Sequence, residues 1–236
     1  SSLLKERDAQ EEQRVEVYTQ LGIGYMNQNR LASALEALEE ALYIQPDDSP
    51  ANHAMALLKI RLGEPDEAKT HFNLALETDP RNVAARNDFG SFLCNQGDWA
   101  AGIDNFEKAR RDPFNTDVYV SQFGLGKCLL LSGEPKAARE QFREALLVQP
   151  ANVAILYESA VASFELAEFL SARAFLQRLF ATGQETADAL LLAVRTETRL
   201  GADDLAQEYA ARLRSGFPTS QQAKDLDLVL GMKSNG

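Results

Sequence analysis

Few residues of this 236-residue chain are of types that carry chemistry. Its two histidines, His53 and His71, are 18 residues apart and fall in different helices of one repeat. His53 is expected on a concave face and His71 on a helix surface. Neither has the Cys or carboxylate spacing of a metal site, and two histidines in one repeat support no Ser-His-Asp arrangement. Gly124-Leu125-Gly126-Lys127 has the flavour of a phosphate loop. It lacks the upstream Gly and the Ser/Thr that a P-loop uses to hold phosphate and magnesium. Gly22-Ile23-Gly24 fails in the same way. Acidic pairs such as Glu39-Glu40 and Asp47-Asp48 read as solvated helix faces and turns. Cys94 and Cys128 lie in the first helices of adjacent repeats. First helices of neighbouring repeats pack side by side, so spacing leaves two readings open: a disulfide, or two small buried thiols. The reading is non-enzymatic, with no cofactor and no metal.

The elements that hold these residues follow from a pattern that returns every 34 residues. Leu21-Gly22, Phe89-Gly90 and Leu125-Gly126 open blocks. Small residues recur at Ala34, Ala68, Gly102, Ala138, Ala172 and Ala206, and Phe72-Ala75, Phe106-Ala109 and Phe142-Ala145 follow them. Prolines close blocks at Pro46, Pro80, Pro113, Pro150 and Pro218. This order and period are the tetratricopeptide (TPR) spacing. The small residues allow two helices to approach. Gly63, Gly97, Gly133 and Gly201 suit the turn between them. Pro65 and Pro135 suit the first helical position, where no N–H is needed. The fold expected is all-α: a right-handed superhelix of six TPR repeats, about 13 helices with a C-terminal cap.

The repeats frame as 15–48, 49–82, 83–118, 119–152, 153–186 and 187–220, with a cap over 221–232 and a polar tail over 1–14. Residues 15–236 are expected to form a single solenoid. Two extra residues fall in the loop Asp112-Pro113-Phe114-Asn115. The fifth repeat departs furthest, with Leu176 and Leu179 for the aromatic and Ala, and Gly183 in place of a proline. A formal net charge of −11 argues against nucleic acid and against an electrostatic hold on anionic lipid. No apolar run approaches the ~20 residues that span a bilayer. The first residue is Ser1, so a processed or truncated form is expected, with any targeting segment outside this chain.

Positions 2, 5, 9, 12 and 13 of each block should line the concave face. Ile23, Met26, Leu57 and Ile60 then make an apolar stripe in the N-terminal groove, and Phe123, Tyr157 and Phe164 an aromatic cluster further on. The competing reading packs some of these against neighbouring first helices. An exposed apolar groove suits capture of an extended or helical peptide. A carboxylate clamp would place Lys and Asn where Thr19 and Ile23 stand, so that subclass is disfavoured.

The stretch Asn87 to Gly97, then Phe106-Glu107-Lys108-Ala109 and Asp112-Pro113, resembles the type IV pilus biogenesis TPR lipoproteins of the PilF/PilW family. Leu21 to Met26, Leu125 to Cys128, Arg195 to Gly201 and Phe217-Pro218-Thr219-Ser220 add to the resemblance. Phe89 for Tyr and Gly102 for Ala depart from the pattern and touch packing only. The resemblance implies an outer-membrane lipoprotein of a Gram-negative bacterium. It would face the periplasm and act as a pilotin or stability factor for the pilus secretin. It also implies that Cys94 and Cys128 are joined. A monomer binding a secretin subunit in the groove is expected; the alternative is a general periplasmic adaptor docking cell-wall enzymes or other envelope proteins.

Overall fold

The structure, a computed structural model, describes residues 2–231. Thirteen helices account for the described elements, and no strand occurs among them. The expected all-α class is what the chain adopts. The contacts of the described residues divide into two units: residues 2–92 with 111–115, and residues 93–110 with 116–231.

In the first unit, α1 (Ser2–Asn27) pairs with α2 (Leu31–Ile44) and α3 (Ser49–Arg61) with α4 (Pro65–Thr78). The helix α5 (Val83–Asn95) begins here. Residues 2–14, read from sequence as a polar tail, form the first turns of α1, and the side chains of 4–14 are exposed. Helical continuity from Val15, which is buried, extends the backbone outward without requiring a core. The second unit holds α6 (Trp99–Arg111), apart from its last residue, then α7 (Val118–Leu131), α8 (Pro135–Val148), α9 (Val153–Glu165), α10 (Phe169–Ala181), α11 (Ala187–Arg199), α12 (Asp203–Gly216) and α13 (Gln221–Gly231). The cap expected over 221–232 is α13, anchored by the buried Leu226; position 232 lies outside the described residues.

The repeat residues do what their sizes demand. Ala34, Ala68, Ala138 and Ala172 are wholly buried, as are Phe72 and Phe142. Leu176 and Leu179 fill the same places in the fifth repeat. Turns within repeats close by paired bonds at the helix end. After α3, Glu64 N–H reaches the Lys59 carbonyl at 2.9 Å and Gly63 N–H the Ile60 carbonyl at 3.1 Å. This puts Gly63 at φ 76°, a left-handed value that glycine adopts freely. Asn29 and Ala167 hold the equivalent place in repeats one and five, each at φ 58°. Starts of first helices are capped at the same period. The side-chain oxygens of Asp48, Asn82, Asn152, Thr186 and Ser220 each accept the backbone N–H three residues on.

Candidate functional site

Cys94 and Cys128 form a disulfide with Cα atoms 5.5 Å apart, and both side chains are buried in the second unit. The pairing implied by the resemblance is therefore present, and it ties the end of α5 to α7.

Both histidines are held by structure. Nε2 of His53 lies 2.7 Å from Asp88 Oδ2. His71, expected on a helix surface, is half-buried, and its Nδ1 lies 2.8 Å from Asn52 Oδ1. The Asn52 amide nitrogen already donates to the Pro46 and Asp48 carbonyls, each at 2.9 Å. Its oxygen is thus the acceptor, and His71 Nδ1–H donates. Burial and the nearby Lys59 ammonium hold the His71 pKa below its ordinary value. Among the described residues no three His, Cys, Asp or Glu side chains gather as a metal site. None of the described helices is long and apolar enough to cross a membrane. Lys127 of the glycine-rich stretch lies 5.6 Å from the Phe123 ring centre, inside a helix, as the repeat register requires.

The four apolar residues of the N-terminal stripe come together. Ile23, Met26, Leu57 and Ile60 line one groove of about 590 Å³ between α1 and α3, with His53 and Arg61 on its polar border. Arg61 is fixed there, donating to the Met26 carbonyl at 2.6 Å and to Asn29 Oδ1 at 2.9 Å. The four residues are not equivalent. Ile60 is 39% exposed and Ile23 and Leu57 are half-buried, whereas Met26 is only 6% exposed. Met26 packs with Ala34, Leu38, Ala54, Met55 and Leu58, so it is chiefly core and only the floor of the groove. Thr19 is also floor: it is buried, and its hydroxyl donates to the Val15 carbonyl at 2.8 Å.

The aromatic residues of the later repeats do not form one platform. Phe123 pairs with Phe142 at 6.0 Å and Phe164 with Phe169 at 5.2 Å between ring centres. Tyr157 is half-buried, and desolvation, with Asp188 and Glu158 nearby, pushes its hydroxyl pKa up to about 12. Only Phe164 of the three borders a concavity of the second unit, about 760 Å³, with Arg195, Thr198, Arg199, Asp225, Leu228 and Val229. Sequence reasoning placed no functional residue on α11 or α13.

Two tetratricopeptide repeat models match residues 25–87 and 123–185, together more than half of the chain. The type IV pilus assembly protein PilF of Pseudomonas aeruginosa is 27% identical over 89% of this chain and 83% of its own. A solved structure of P. aeruginosa PilF covers 92% of this chain and 98% of its own, at 25% identity and a TM-score of 0.80. The crystal structure of PilW, described as a widely conserved type IV pilus biogenesis factor, covers 90% of this chain and 97% of its own, at 26% identity and a TM-score of 0.85. With the buried alanines, the left-handed turns and the capped first helices at one period, these matches establish that the chain belongs to the tetratricopeptide repeat family.

Proposed function

We propose that this protein is a non-enzymatic assembly factor of type IV pilus biogenesis. It works in the periplasm of a Gram-negative bacterium and binds a subunit of the pilus secretin. The similarity to PilF and PilW along nearly the whole chain supports the pilus role. The Cys94–Cys128 bond supports an oxidising compartment. A lipid anchor in the outer membrane is part of this reading and would precede the residues described.

The observation that carries the binding role is the α1–α3 groove. Ile23, Leu57 and Ile60 present apolar surface on a frame held by buried alanines and the Arg61 bonds. Such a surface gains by accepting apolar side chains of a partner segment, at about 25 cal/mol for each Å² removed from water. A partner chain held there could be kept soluble and oriented until it oligomerises.

The test is capture of the secretin subunit, identified by antibody, from detergent extract of the source bacterium. Native protein should retain it, and the Leu57→Ser/Ile60→Ser variant should lose most of it with its helix content intact. Equal capture by the two proteins would refute the groove, and no capture by either would refute the secretin role.

A further inference from the structure

We propose a second docking site, on the face made by α9, α11 and α13, for a partner segment that alternates acidic and apolar side chains. The observation is a pair of unmatched cations. In this unit the arginines of α8, α10 and α12 are all engaged. Arg139 pairs with Glu168, Arg143 with Glu140, Arg173 with Glu197, Arg212 with Glu185 and Arg214 with Asp227. Arg178 donates to the Pro150 carbonyl at 2.9 Å. Arg195 and Arg199 of α11 differ. Both are exposed, and neither has a carboxylate within 4.0 Å among the described residues.

Their setting is a built concavity. The two arginines are one helical turn apart, so both side chains leave the same face of α11. Arg199 lies over the Phe169 ring at 4.5 Å, and that ring is braced edge-on by Phe164. Stacking orients a guanidinium yet leaves its N–H edge free to grip a carboxylate. Between the two arginines in sequence is Thr198, whose buried hydroxyl has no hydrogen-bond partner. The opposite wall carries Val229, Leu228, which is 70% exposed, and the Asp225 carboxylate. Asp225 on that wall accepts from the Gln221 amide at 2.9 Å.

Charge complementarity selects the occupant. In a chain of net charge −11, a concavity whose two guanidiniums outnumber its one carboxylate, Asp225, beside aromatic and aliphatic side chains is complementary to carboxylates set next to Leu or Phe side chains. Both groups are used at once only by a segment that carries both. This site is in the second unit, apart from the α1–α3 groove, so its outcome is independent of secretin capture.

The probe is a fluorescent Asp-Leu-Glu-Phe-Asp-Leu peptide, compared with its Lys-Leu-Lys-Phe-Lys-Leu counterpart, in anisotropy titrations of the whole chain. The acidic probe should bind, more weakly as salt rises, and the basic one should not. The Arg195→Ser/Arg199→Ser variant should lose about tenfold or more in affinity, since each charge-assisted contact is worth a sizeable part of such binding. Leu228→Asp should weaken the acidic probe as well, while Arg143→Ser should leave it unchanged. Exposed positions make loss of fold unexpected, and a thermal melt of each variant checks it. No binding of the acidic probe, equal binding of both probes, or indifference to the arginine pair would overturn the proposal. So would self-association of the native protein that the arginine variant abolishes, which would give this face to a second copy.

Discussion

Gly124 lies against the ring of Phe106. A methyl group added at Gly124 would come within 2.6 Å of Phe106 Cζ, on a ring that is only 1% exposed. Gly126 stands in the same relation to Phe142, and Gly22 to Leu38. The glycines of the apparent phosphate loop are therefore contact surfaces, set where a first helix meets the large residue of a second.

This relation predicts opposite outcomes for two glycines of similar sequence context. Gly124→Ala should destabilise the protein by about 1–3 kcal/mol through overpacking. Gly24→Ala meets nothing within 4 Å and lies inside α1. It should be neutral or stabilise by up to about 1 kcal/mol, the helix-propensity difference. Urea unfolding midpoints of the two variants check both signs.

The Cys94–Cys128 bond closes a loop with a sequence separation of 34. Constraint of the unfolded chain by such a loop contributes about 4 kcal/mol. Thiol titration of the unfolded, unreduced protein should find none. The Cys94→Ser/Cys128→Ser variant should melt well below the native protein, and equal melting would show that the bond adds no stability.

Much of this architecture was legible in the chain because its marks are periodic. Ala34, Ala68, Phe72 and Phe142 mark close approach and core, and each is buried where the period puts it. Asp48, Asn82, Asn152, Thr186 and Ser220 share the same period as caps, a signal that is in the sequence but easily read as turn polarity. The site was harder to read. A repeat position specifies a facing direction, not an exposure: Met26 and Ile60 hold equivalent positions, yet Met26 sinks under Ala34 and Met55. Arg195 and Arg199 gave no signal because being unpaired is a property of three-dimensional surroundings. The partner of His71 was hidden for the same reason, Asn52 lying on the other helix of the hairpin.

The difference between Met26 and Ile60 is itself testable. Met26→Ser removes a buried side chain and should cost about 2–5 kcal/mol of stability. Ile60→Ser should change stability by less than about 1 kcal/mol while weakening partner capture. Similar melting of the two variants would contradict the burial described for Met26.

His71 supplies a pH dependence. Its folded pKa lies below the ordinary 6.5, so the unfolded chain binds the proton more readily. Stability should be full above 6.5 and fall as pH drops through the interval between 6.5 and the lower folded value. His71→Gln, which keeps an amide N–H for Asn52, should flatten that part of the curve. An unchanged slope in the variant would assign the dependence to other groups.

Arg173 and Glu197 carry the last prediction. Glu197 is only 2% exposed, and the guanidinium grips it from both sides, with Arg173 Nε 2.9 Å from Oε1 and Nη2 on Oε2. That pairing raises the Arg173 pKa. A carboxylate this deeply buried depends on its partner. Arg173→Met leaves it uncompensated and should cost about 3–5 kcal/mol. Removing both charges should cost much less, because the desolvation penalty goes with them. Arg173→Met, Glu197→Met and the double variant therefore form a cycle in which the double is more stable than the arginine single. Additive losses across that cycle would mean that the two side chains act independently, contrary to the two-pronged contact that joins α10 to α11.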